Sequence, residues 1–145
     1  MLGIISFYSL MKYTLQLSNE LLQEMIAYVA QYAPLEACGV LAGKADRAEK
    51  MFGVLNQAQS PVRFVMEPYA QLRAFDWIES NGLDLIAIFH SHPTGPETVS
   101  PTDILEAAYA VTHIVISYTI GVQWQARGFW IESGAASEVT LQITG

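Results

Sequence analysis

Cysteine is almost missing from this chain. Cys38 is the only one in 145 residues, so no internal disulfide can form, nothing calls for an oxidising compartment, and the expected location is the cytoplasm. Positive charge is scarce as well: seven Lys and Arg face 14 Asp and Glu, a formal net charge of -7. The basic residues are scattered singly and make no phosphate-tracking stripe, which sets aside nucleic acid and an anionic membrane as partners. No apolar run is long enough to span a bilayer. The apolar opening, residues 2–11, is about 10 residues long and lacks the basic start and small-residue cleavage site of a signal peptide. It reads as a short strand or an N-terminal extension, and Met11 followed by Lys12 offers an alternative start. Repeats, low-complexity tracts and Ser/Gly-rich linkers are missing too, so residues 1–145 are expected to form one domain.

What is present is ordinary globular material, 52% hydrophobic and 14% charged, enough to bury a core without staples. Ser18 precedes Leu21, Leu22, Met25, Ile26 and Val29 at helical spacing, which predicts an N-cap and a helix over residues 19–32, ended by Pro34. Residues 38–43 form a short apolar run, and residues 50–55 and 63–66 are short strand candidates around the turn-like Gln59-Ser60-Pro61. A second helix is predicted after Pro68, with Leu72, Phe75, Trp77 and Ile78 as its apolar side and Asn81-Gly82 as its stop. Residues 83–89 are nearly continuous Leu, Ile, Ala and Phe, the pattern of a central strand covered on both faces, and they deliver His90. A Pro/Gly-containing loop leads to a short helix from Ser100, and residues 113–118, 123–131 and 138–143 read as closing strands. Interleaved strands and helices without a strict βαβ repeat predict an α/β domain with a mixed sheet flanked by helices.

In Phe89-His90-Ser91-His92-Pro93 two imidazoles stand at i and i+2, on one face of an extended backbone, a geometry suited to holding one ion. A catalytic zinc keeps about three protein ligands and an open position. Asp103, beyond the loop and in the first turn of the short helix, is the candidate third ligand. Ser100-Pro101-Thr102-Asp103 is also a capping box that a helix start would want with no metal near it. The two His sit at the mouth of an apolar strand, where functional groups concentrate in α/β sheets. Glu36, at the edge of an apolar run, reads either as a solvated loop acid or as a base. Cys38 reads as a small buried hydrophobe, His113 as structural, Glu97 as a solvated loop acid, and Trp77, Trp124 and Trp130 as core or interface packing.

Taken together, His90-x-His92-Pro93, seven residues, then Ser100-x-x-Asp103, preceded at a distance by Glu36, resembles the JAMM motif of the MPN+ metalloprotease family. Residues 35–43 look like the segment around that family's catalytic Glu, and residues 63–68 like the strand and helix start before its central helix. The resemblance implies a cytidine-deaminase-like fold and hydrolysis of amide or isopeptide bonds. By position, His90, His92 and Asp103 would bind one zinc ion, Glu36 would move the proton and Ser100 would help stabilise the oxyanion, a contribution of about 3 kcal/mol at other acyl-transfer sites. As a cap, Ser100 is expected to serve that second role only if one of its hydrogen bonds weakens during turnover. All motif positions carry competent residues, which points to an active member. The short, insertion-free chain is similar to the prokaryotic stand-alone members, which suggests the C-terminal tail of a ubiquitin-like sulfur-carrier protein as substrate; a homodimer is compatible with it. Two other readings stay open, a hydrolase of small peptide or amino-acid conjugates and a non-catalytic binding module with a structural metal. The motifs H-E-x-x-H and P-C-x-x-C of other zinc enzymes are absent.

Overall fold

The computed structural model describes residues 12–119 and 123–145. The strand or extension expected over residues 2–11 lies outside them. Among the described residues, seven strands alternate unevenly with three helices: β1 (Thr14–Ser18), α1 (Asn19–Ala30), β2 (Cys38–Lys44), β3 (Arg47–Val54), α2 (Pro68–Ser80), β4 (Asp84–His92), α3 (Pro101–Glu106), β5 (Thr112–Thr119), β6 (Gln123–Glu132) and β7 (Ala135–Thr144). The sheet is mixed, with the order β1-β3-β2-β4-β5-β6-β7, and it closes on itself as β1 pairs in parallel with β7. Closure removes the sheet edges; β1, which the sequence reading did not anticipate, is the staple that achieves it.

The helices begin as their sequences dictate. Ser18 Oγ accepts the Leu21 amide at 3.0 Å and starts α1. Pro68 sits in the first turn of α2, where its missing N–H costs nothing, and the Glu67 carboxylate accepts the amides of Tyr69 and Ala70. Leu21, Met25 and Val29 of α1 pack with Leu41, Phe89, Ile114 and Ile116 in one core cluster, while Ala74 and Ile78 of α2 pack with Val40, Ala42 and Ile88 in a second. Adjacent residues of β2 and β4 thus serve opposite faces, the period-2 alternation of a strand covered on both sides. Gly39 permits this: a Cβ there would strike the Phe52 carbonyl and the Phe89 ring.

Two expectations need correction. Residues 63–66 form no strand, only a single bridge between Asn56 and Met66. The Asn56 side chain takes the place of a ladder, accepting from the Val65 amide at 2.9 Å and donating to the Arg63 carbonyl at 3.1 Å. The apolar side of α2 is also rotated. Ala74 and Ile78 are buried, whereas Leu72 is 55% and Trp77 39% exposed. Trp77 is instead held from the side by the Phe52 ring, with centroids 5.2 Å apart, and by Lys50.

The parallel pair β4–β5 is buried along nearly its whole length. Its connection, residues 93–111, carries α3, so whatever stands at the C-terminal end of β4 faces the start of that short helix.

Candidate metal centre

β4 extends through both histidines, so His90 and His92 leave the same face of one strand, the face toward α2. Their Nε2 atoms stand 3.0 Å apart. Asp103, in the first turn of α3, brings Oδ2 to 3.0 Å from His90 Nε2 and 3.3 Å from His92 Nε2. The same oxygen accepts the Ser100 amide at 2.8 Å, while Ser100 Oγ accepts the Asp103 amide at 3.0 Å. The capping box and the convergence on the histidines are therefore one arrangement rather than rivals. Ser100 as a cap uses only its acceptor lone pair, so its hydroxyl hydrogen stays available to donate and no cap bond has to weaken first.

His92 has its outward nitrogen committed: Nδ1 bonds the Pro96 carbonyl at 2.7 Å, which puts the proton on Nδ1 and leaves the Nε2 lone pair toward Asp103. The His90 ring stacks on Phe64 with centroids 4.4 Å apart, and its Nδ1 has no hydrogen-bond partner.

Glu36 is buried in the same place. Its Oε2 lies 3.9 Å from His92 Nε2 and its Oε1 has no partner. Burial is the main force pushing its carboxyl up to about 7; Asp103 adds to the rise and His92 opposes it. Burial also works against charge on Asp103, yet its close contacts with the two His rings and the hydrogen bond from the Ser100 amide hold that carboxyl well below the ordinary carboxylate range. Two carboxylates that both approach His92 are thus driven in opposite directions, Asp103 toward the anion and Glu36 toward the neutral acid.

Glu36 is pinned through its backbone by residues that the sequence reading passed over. Its N–H donates to the Ser60 carbonyl at 2.9 Å, and its carbonyl accepts from Asn56 Nδ2 at 2.9 Å. Ser91, the residue between the two histidines, points to the opposite face and accepts the Ala37 amide on Oγ at 2.8 Å, while its own amide donates to the Ala37 carbonyl at 2.9 Å. The alternation that sends both His one way sends Ser91 the other, toward the Glu36 segment. That was the available sequence signal.

These donors fit a metal ion. In tetrahedral zinc with bonds near 2.0–2.1 Å, ligand atoms stand roughly 3.3 Å from one another, and the His90, His92 and Asp103 atoms are 3.0 to 3.3 Å apart. Two imidazole nitrogens and a carboxylate oxygen so close cannot all satisfy one another with the protons available, but all three can share a cation. The ligand atoms of Glu36, His90 and His92 also lie within 4.8 Å of one another. Glu36 is the outlying member, with its Oε1 unpartnered.

The other residues weighed fall into supporting roles. Cys38 is fully buried, its Sγ donates to the Val54 carbonyl at 3.2 Å, and burial pushes its thiol up to about 12. Glu97 keeps its side chain 44% exposed and is also tied down: it accepts from Gln125 and Thr119 and lies 3.7 Å from the Arg127 guanidinium. Trp130 belongs to the first core cluster and Trp124 packs against it.

Comparison with known proteins adds to this geometry. Residues 18–131 match the family described as prokaryotic homologs of the JAB domain. The chain is 37% identical over 124 residues to a probable TtuB-protein conjugate cleaving protease of Thermus thermophilus, covering 85% of this chain and 78% of that one. It is 29% identical over 134 residues to the CysO-cysteine peptidase of Mycobacterium tuberculosis, covering 90% and 92%. Among solved structures, a Desulfitobacterium hafniense protein in solution superposes with a TM-score of 0.81 at 30% identity, covering 90% of this chain and 92% of that one.

Proposed function

The chain belongs to the family of prokaryotic homologs of the JAB domain, and from that premise we propose that it is a zinc-dependent peptidase that cleaves an amide bond at the C-terminal tail of a ubiquitin-like sulfur-carrier protein. Hydrolysis of peptide or isopeptide bonds is its chemistry. The observation that carries the reading is the convergence of His90 Nε2, His92 Nε2 and Asp103 Oδ2 within 3.3 Å of one another, beside a buried Glu36 with a free oxygen. The mixed sheet with a helix packed on each face supports the cytidine-deaminase-like reading of the fold.

In this proposal His90, His92 and Asp103 hold the ion. When bound, zinc supplies Lewis-acid polarisation of the scissile carbonyl and acidifies water to a pKa of about 7. Glu36, with its carboxyl raised to about 7, takes the water's proton and passes it to the departing amine. The Ser100 hydroxyl, kept in place by the Asp103 amide, donates to the oxyanion. Asn56, Ser60 and Ser91 hold the Glu36 segment so that its carboxylate meets the site without searching.

The test is mass spectrometry of carrier proteins bearing extra C-terminal residues or conjugated through an amide, alongside a panel of small peptide conjugates. Release of the tail with zinc, blocked by a chelator and by Glu36→Gln in a folded protein, is the expected result. Cleavage of the small conjugates alone would reassign the substrate, and turnover that survives Glu36→Gln would remove the mechanism.

A further inference from the structure

Among the described residues, three buried side-chain atoms have no hydrogen-bond partner: Glu36 Oε1, His90 Nδ1 and His113 Nε2. The first is the proposed base. The other two belong to neighbouring parallel strands. His90 aligns with Val115, and His113 aligns with Ile88, two pairs earlier along the same ladder. Residues 88 and 90 share one face of β4 and residues 113 and 115 share the same face of β5, so the two imidazoles are diagonal neighbours, within reach of long side chains. Both rings are buried, and each is close enough that a charge on His90 would weigh on His113. An orphaned ring nitrogen inside a core is costly, and two orphans on diagonal positions of one sheet face call for one explanation.

Their tautomers supply it. His113 bonds the Tyr109 backbone carbonyl, and since its Nε2 is the unpartnered atom, the donor is Nδ1–H. Nε2 is then a bare acceptor. His90 has two choices. A proton on Nε2 is donated to Asp103 at 3.0 Å and leaves Nδ1 as a second buried lone pair without a donor. A proton on Nδ1 frees the Nε2 lone pair for a cation and presents a donor to His113. His92 already shows the second pattern, with Pro96 as its acceptor; His90 lacks a backbone carbonyl for the purpose.

We propose that His113 is the positioning residue for His90: its Nε2 accepts the His90 Nδ1–H and so commits His90 Nε2 to the metal. The relay runs from the Tyr109 carbonyl through the two rings to the ion, and the ligand's orientation depends on a strand that carries no ligand itself. Outer partners of ligating histidines commonly govern metal affinity by 10-fold to 100-fold.

This inference rests on the zinc reading of the site, and its readout is zinc affinity measured by competition with a chromophoric chelator rather than turnover. His113→Phe removes the acceptor; His113→Gln places an amide oxygen near the Nε2 position and His113→Asn near Nδ1. Weakening by about 10-fold or more in His113→Phe, recovery to within about threefold of wild type in His113→Gln and no recovery in His113→Asn are expected. A folded His113→Phe protein that binds zinc as tightly as wild type would overturn the proposal. If His113→Phe does not fold, equal affinities for the Gln and Asn variants overturn it instead. Nitrogen-15 shifts of His90 in the zinc-loaded protein should report the Nδ1–H form; the other tautomer contradicts the relay. Wild-type protein that binds no zinc would dispose of the site reading itself, an outcome distinct from all of these.

Discussion

Replacing Glu36 with Gln should make the metal-free protein more stable above neutral pH while abolishing turnover. Burial raises the Glu36 carboxyl from its ordinary 4.5 to about 7. A raised carboxyl pKa means that the native state binds more protons than the unfolded chain between those two values. Stability therefore falls as pH rises through that window: the cost is absent below about 4.5 and complete above about 7. The size of the rise corresponds to about 3 kcal/mol at pH 8, or roughly 6–12 °C in Tm for a chain of this length. Glutamine keeps the shape and removes the charge. Urea or thermal unfolding of both proteins with excess chelator, at pH 4 and pH 8, measures it directly. The two should nearly coincide at pH 4 and separate at pH 8, with Glu36→Gln the more stable. A variant no more stable than wild type at pH 8, or a gap that is the same at both pH values, would refute the idea that the site stores destabilising charge for use in catalysis.

Other outcomes follow from the same contacts. Ser91→Ala orphans the buried Ala37 amide, which should cost about 1–3 kcal/mol in urea unfolding and lower kcat with zinc binding intact; unchanged kcat would sever Ser91 from the Glu36 segment. Cys38, fully buried with its thiol pushed up to about 12, should react with a thiol reagent only after denaturant is added, and rapid native labelling would contradict its packing. Gly39→Ala drives a Cβ into the Phe52 carbonyl and the Phe89 ring and should destabilise by about 2–3 kcal/mol or more, read as a drop in Tm.

The convergence of His90, His92 and Asp103 was legible because their spacing is a backbone matter. Two His at i and i+2 in an apolar run must share a face wherever the strand runs, and a Ser-x-x-Asp after a Pro/Gly loop starts a helix in any fold. Ser18, Pro68 and Ser100 marked helix starts for the same local reason. What lay beyond reach depends on pairing between distant segments. Nothing within Thr14–Ser18 says that it bonds β7 and closes the sheet. Asn56 carries no local signal, and its role emerges only when four backbone groups from three segments meet its side chain. His113 looked structural because its partner across the β4–β5 ladder is set by register, which only the folded sheet defines. On α2 the apolar residues spread around the helix, and the choice of Ala74 and Ile78 over Leu72 for burial was made by the sheet beneath.

The central claim is that three side chains hold the ion while Glu36 stays free to move a proton. Crystals grown with zinc and measured at the zinc absorption edge test it in one experiment. A single anomalous peak about 2.0–2.2 Å from His90 Nε2, His92 Nε2 and an Asp103 oxygen, with Glu36 outside bonding distance, is the predicted result. A peak bonded to Glu36 in place of Asp103, or no peak between the histidines, would contradict it.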